Sequence, residues 1–147
     1  MIRMSSSLVV LEDRILFFYG QTSAGHGAQM WADIGMATLR LDGFVALVAS
    51  GERTGRLLTK PFLLAGDRLY INAAAENSGS ITVVLRDEAG APVPGFKSRL
   101  IREDGIKLPV TWRANANLSE WRGRSVRLKF VMQQARLYSF GFEDTQE

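Results

Sequence analysis

Residues 125–142 read Ser125-Val126-Arg127-Leu128-Lys129-Phe130-Val131-Met132-Gln133-Gln134-Ala135-Arg136-Leu137-Tyr138-Ser139-Phe140-Gly141-Phe142. Side chains of a β-strand alternate between two faces. Val126, Leu128, Phe130 and Met132 therefore share one face, the clearest buried face in the chain. Arg127 and Lys129 fall on the other, as on the solvent side of a half-buried strand. Gln133-Gln134 is predicted to be a hairpin turn. A second strand over Ala135–Phe142 would set Tyr138, Phe140 and Phe142 on one face.

The same period-2 pattern extends towards the N-terminus. Leu108, Val110 and Trp112 share a strand face. Between 80 and 87, one face holds Ile81, Val83 and Leu85. Between 67 and 75, Leu69, Ile71 and Ala73 point one way, Tyr70 and Asn72 the other. Glu76-Asn77-Ser78-Gly79 is predicted to be the turn between them, and residues 88–95, with Pro92 and Pro94, a loop. Leu57–Lys60 is strand-like. Pro61 suits a strand end, because proline cannot donate to a ladder. Asn117 is placed to cap one helical turn ahead of Leu118-Ser119-Glu120-Trp121.

Further upstream, Leu8–Leu11 and Arg14–Tyr19 read as two strands joined by a tight turn at Glu12-Asp13. A loop rich in Gly, Ser and Gln runs from Gly20 to Gln29. Ile34–Arg40 is a third strand, Asp42-Gly43 a turn and Phe44–Val48 another apolar run. No segment keeps helical periodicity over two turns. The predicted fold is all-β: an antiparallel, jelly-roll-like sandwich over 51–147, preceded by a three-strand meander over 1–50.

Composition bounds the function without naming it. The chain has 147 residues, enough for a sizeable core, and its charged fraction of 22% is that of a globular protein. There is no cysteine, which excludes disulfides and thiolate metal sites. The formal charge is +3 with a pI near 9.6. The arginines behind it are spread along the chain and no nucleic-acid motif accompanies them, so a nucleic-acid partner is not expected. No apolar run approaches a membrane span. The first residues lack the pattern of a signal peptide, which makes a cytoplasmic location the default expectation.

Candidate chemistry is sparse. His26 is the only histidine. In Gly25-His26-Gly27, without a nearby nucleophile or further ligands, it makes neither a triad nor a metal site by itself. Acidic residues come in pairs, Glu12-Asp13, Asp87-Glu88, Glu103-Asp104 and Glu143-Asp144, but in predicted turns, loops or the tail. There water keeps both carboxylates charged, whereas glycoside hydrolysis needs one with a raised pKa. Of the tryptophans, Trp112 has the parity of a core residue and Trp121 is placed to cap the core. Trp31, beside Asp33 and near His26, is the best exposed platform for stacking on a sugar. Loop oxygens could hold a structural Ca²⁺ in such sandwiches, but no acidic spacing singles one out, and no cofactor is expected.

Several segments in order carry a resemblance. They are Leu57–Phe62, Leu69–Ala73, Ile81–Asp87, Val126–Phe130 and, most specific, Ala135-Arg136-Leu137-Tyr138-Ser139-Phe140. Together they resemble the C-terminal β-sandwich of bacterial proteins similar to five-bladed-propeller glycosidases of the fructosidase and arabinanase type. Ser6–Gly20 and Ile34–Phe44 resemble the last propeller blade and its exit. Such propellers carry their catalytic carboxylates on earlier blades, and this sequence has one blade-like segment. The resemblance therefore implies a non-catalytic module, with carbohydrate contacts at His26, Trp31, Asp33 and Asn72. A module that is purely structural, with no ligand, accounts for the same pattern. A lone blade exposes edges and apolar faces. A homo-oligomer through residues 5–45 is therefore expected, with Phe17, Tyr19, Ile34 and Met36 buried in the contact.

Overall fold

A computed structural model describes residues 2–5, 7–23, 31–114 and 116–145. It is all-β and antiparallel throughout, with one short 3₁₀ turn. The chain divides into two compact units, Met1–Phe44 and Val45–Glu147. The boundary falls a few residues earlier than the composition suggests, because Leu47–Ala49 pairs with the last strand of the second unit.

The first unit contains β1 (Ile2–Met4), β2 (Val9–Val10), β3 (Arg14–Thr22) and β4 (Ala32–Arg40). β4 pairs with β3 along its full length. β1 and β2 lie end to end along the other edge, so the unit is a three-strand meander with a broken first strand. The predicted turn at Glu12-Asp13 is closed by the Leu11 N–H donating to the Arg14 carbonyl at 2.8 Å. Beyond β4, Asp42 adopts φ +55° in the turn that brings Phe44 edge-on to Phe17, centroids 6.1 Å apart.

The register of β3 and β4 separates residues that were expected to act together. Tyr19 stands opposite Gly35, and its ring lies where a Gly35 side chain would be: a Cβ there would come within 2.3 Å of the ring. Phe17 has the same parity as Tyr19. Phe18 stands opposite Met36 and Gly20 opposite Ile34, on the other face. Phe17 and Tyr19 thus occupy one side of the meander, and Ile34 and Met36 the other.

The second unit contains β5 (Leu47–Ala49), β6 (Gly55–Leu58), β7 (Phe62–Leu63), β8 (Arg68–Asp87), β9 (Pro92–Lys97), β10 (Asp104–Pro109) and β11 (Ser125–Glu143). β8 and β11 pair with each other from Asp87↔Val126 to Arg68↔Glu143. β9 and β10 line the outer edge of β8. β7, β6 and β5 follow one another along the outer edge of β11.

Two predicted hairpin turns are corners inside these long strands. Gln133 pairs with Ser80 and Ala135 with Ala75, so residues 76–79 of β8 stand against Gln134 alone. Gln134 takes φ +44°. The chain does not reverse at either place. It continues along the same partner after a bend, as extra residues in one strand of a ladder cause.

The bends fold the sheet over on itself. The Leu64 N–H donates to the Arg124 carbonyl at 3.0 Å, and the Asp67 N–H to the Glu143 carbonyl at 3.1 Å. A straight strand from Arg124 to Glu143 would run about 60 Å. The step from Leu64 to Asp67 spans at most about 11 Å. The two ends of β11 must therefore meet. Gly66 sits at the meeting point, where any Cβ would fall 2.7 Å from the Glu143 carbonyl oxygen.

The core lies in the second unit. Ile81, Val83, Leu85, Val126, Leu128 and Phe130 are wholly buried, with Leu69, Ile71 and Ala73 from the other half. In the last stretch of β11, Ala135 and Leu137 are buried rather than the even-numbered set expected from Ala135 onwards. A bulge between Leu137 and Ser139 then changes the parity. Beyond it Phe140 stands opposite Ile71 and Phe142 opposite Leu69, and both pack on Phe62.

Candidate functional site

The first residues of β8 and the segment after β10 form one wall each of an open cleft of about 470 Å³. Backbone pairing builds it: Pro109 stands opposite Tyr70, and the Val110 N–H donates to the Leu69 carbonyl at 2.9 Å. Asp67, Arg68, Tyr70, Thr111, Trp112 and Asn117 are among its lining residues.

Trp112 is 6% exposed and meets Phe96 edge-on at 5.5 Å; Phe96 in turn meets Trp121 edge-on at 6.2 Å. Trp112 is thus a core residue that contributes to the cleft, and Trp121 packs against the core from its half-buried site, as both were expected to do. Asn117 caps the 3₁₀ turn Leu118–Trp121, its Oδ1 accepting from the Ser119 N–H at 3.0 Å. Wholly buried Leu118 anchors that turn and so fixes the Asn117 amide at the cleft wall.

The electrostatics of the cleft are simple. Asp67 accepts from the Thr145 hydroxyl and from its N–H, each at 2.8 Å. Those bonds, the hydroxyl's first, hold its carboxyl below the ordinary carboxylate value. Asp67 is the single carboxylate among the described lining residues. Beside the cleft, the Lys107 ammonium stands 5.1 Å from the centre of the Tyr70 ring and bridges to Glu143 at 2.5 Å. That carboxylate raises the Lys107 pKa, mainly through its hydrogen bond. The described lining combines aromatic residues with hydroxyl, amide and carboxylate groups.

Of the residues singled out from sequence, Trp31, Asp33 and Asn72 are not among the described lining residues. Trp31 is 59% exposed just before β4, its N–H on Ser23 Oγ at 3.2 Å and its carbonyl accepting from the Ser23 N–H at 3.1 Å. Asp33 is exposed on β4, opposite Gln21. His26 lies outside the described residues. Asn72 belongs to the second unit, opposite Ser139 at the bulge, and is 2% exposed. Its amide is therefore not presented to solvent, where a sugar hydroxyl would meet it. Asn72 shares the parity of Tyr70 in the sequence, and the bulge opposite it is not visible in the local pattern.

The acidic pairs lie at strand ends, turns and the tail. Asp13 bonds the Arg14 guanidinium, which lowers its pKa. Asp87 accepts from the Ala91 N–H, and Asp144 pairs with Arg122. Among the described residues no cluster of three or more His, Cys, Asp or Glu is placed to hold a metal ion, and no helix is long and apolar enough to cross a membrane.

No protein-family model matches the chain, and searches of curated proteins and of solved structures return no match.

Proposed function

We propose that this chain is a non-catalytic β-sandwich module that binds carbohydrate through the cleft at Tyr70, Trp112 and Asn117. The observation that carries it is the joining of the Tyr70 and Trp112 rings with Asp67, Thr111 and Asn117 in one open cleft. Aromatic rings offer apolar faces to the C–H face of a sugar, and amide, hydroxyl and carboxylate groups complement its hydroxyls. The resemblance of Leu57–Phe62, Ile81–Asp87 and Ala135–Phe140 to the sandwiches of propeller-type glycosidases supports the same reading; such a module would accompany a catalytic domain.

Calorimetry with fructan, arabinan and β-glucan oligosaccharides tests it. Binding with Kd of about 1 mM or tighter is expected for at least one of them. Tyr70→Ala should abolish it while leaving the far-UV circular dichroism unchanged. No heat with any of the three would overturn the proposal.

A second reading, a structural module that assembles through the meander, draws on a separate observation. Ile34 is 85% and Met36 54% exposed, and Phe18 and Val9 add apolar surface with the same parity in the register. An isologous contact between two copies through this face would cover them. Ile34→Glu should then shift a dimer to monomer in light scattering. A monomer at tens of micromolar for the unaltered protein would sink this reading.

A further inference from the structure

The outer face of the second unit's sheet collects cations that are scattered in the sequence. The ladder registers set them in rows. One row runs Pro92–Arg86–Arg127. The next runs Arg113–Lys97–Val84–Lys129–Leu58, its first rung made by the Arg113 N–H donating to the Lys97 carbonyl at 2.9 Å. A third runs Thr82–Val131–Arg56. None of these rows contains a carboxylate. None of the six cations is in an ion pair among the described residues.

Like charges directly opposite one another destabilise a sheet. Arg86 and Arg127 nevertheless are direct cross-strand partners, and both are half-buried. Main-chain carbonyls hold them in place. Arg127 Nε donates to the Glu88 carbonyl at 3.0 Å and Nη1 to that of Thr59 at 3.2 Å, and Arg86 donates to the Gly90 carbonyl. Arg86 Nε is buried without a partner. The two guanidinium groups are thus fixed side by side, neither of them in an ion pair among the described residues.

We propose that this face binds an acidic polysaccharide, its carboxylate or sulfate groups lying against Arg56, Arg86, Lys97, Arg113, Arg127 and Lys129. Five strands at about 4.8 Å spread the middle row over about 19 Å. A single small anion cannot use that width; a linear polyanion can. The groups between the cations are Val84, Val131 and half-exposed Leu58. Aliphatic side chains suit the C–H surface of sugar rings. They give no stacking platform for bases, and proteins that hold single-stranded nucleic acid rely on aromatic ones. The face also adjoins the cleft: Thr111 lines the cleft, and Arg113, two residues on, opens the middle row. The class of ligand, a glycan chain, rests on the carbohydrate reading of that cleft; its acidic character rests on this face alone.

Affinity electrophoresis of the full chain tests it, with polygalacturonate, neutral arabinan and a poly-dT oligonucleotide as probes. Retardation by polygalacturonate is expected, weakening at least tenfold between about 0.05 M and about 0.5 M salt. The variant Lys97→Gln/Arg113→Gln/Lys129→Gln leaves the carbonyl-anchored arginines in place, and should bind polygalacturonate about tenfold more weakly with its affinity for arabinan unchanged. Polygalacturonate binding that is absent, or equal in the variant, overturns the proposal, as does poly-dT displacing the polysaccharide at equal charge concentration. Loss of arabinan binding alone, with charge-dependent polygalacturonate binding intact, counts against the cleft and supports the face.

Discussion

The rings of Phe62 and Phe142 lie with centroids 5.8 Å apart, although Phe62 is the ladder partner of Val126, at the far end of the strand that carries Phe142. Phe140 joins them, 6.0 Å from Phe62 and 5.5 Å from Phe130. This aromatic group is where the two ends of the folded sheet are held together. A double-mutant cycle of Phe62→Leu and Phe142→Leu should give a coupling of about 0.5–1.5 kcal/mol in urea denaturation. Additive effects would mean that the ends are joined by backbone bonds alone.

Ser98 is wholly buried. Its Oγ accepts from the Val83 N–H at 2.9 Å and donates to the Arg99 carbonyl at 2.7 Å. The side chain thus completes the ladder next to an irregularity in the pairing of β8 and β9. Ser98→Ala leaves a buried N–H without its acceptor and should cost about 1–3 kcal/mol. Equilibrium unfolding that matches the unaltered protein would count against this role.

Gly35 and Tyr19 make a reciprocal pair in the meander. Gly35→Ala must displace the Tyr19 ring, at an expected cost of about 1–3 kcal/mol to the first unit. In a Tyr19→Ala background the same change should cost little. Amide exchange across β3 and β4 reads both, and equal exchange rates for the two glycine variants would contradict the ring's position.

The carboxyl of Asp67 sits below its ordinary value of 3.8 because Thr145 donates to it. A depressed folded-state pKa stabilises above the unfolded pKa, and that contribution is lost as the pH falls through the folded value. The C-terminal attachment at Thr145 should therefore loosen in acid, below about pH 4. Thr145→Val removes the larger of the two hydrogen bonds. It should move the Asp67 titration upwards in a carbon-detected NMR experiment; an unmoved midpoint would assign the shift to another group.

Much of the fold is legible in strand parity. The Ile81, Val83, Leu85 set and the Val126, Leu128, Phe130, Met132 set are buried as their alternation implies, and the Asn117 cap is where its spacing puts it. Local pattern fails where the outcome depends on a distant partner. Gln133-Gln134 and Glu76–Gly79 have turn chemistry, yet whether a chain reverses or bends there depends on which strand lies alongside. The parity change at Leu137–Ser139 is equally hidden, since only pairing with Ile71 and Asn72 forces it. The cleft escaped notice for the same reason: Tyr70, Thr111 and Asn117 come together through a register that no short stretch encodes. The rows of basic residues on the outer face are legible only once β6, β8, β9 and β11 are side by side.

The pairing of β8 with β11 also bears on how fast the molecule reaches its native state. Its nearest rung in sequence, Asp87↔Val126, must wait for the whole of β9, β10 and the 3₁₀ turn to be looped out. Its farthest, Arg68↔Glu143, encloses everything from β8 to β11. Loop-closure entropy is spent before such distant contacts repay it, so folding is expected to be slow, on the order of milliseconds to seconds. Zipping would begin at Asp87 and Val126 and finish at Phe62 and Phe142, making that aromatic contact one of the last to form and among the first to open.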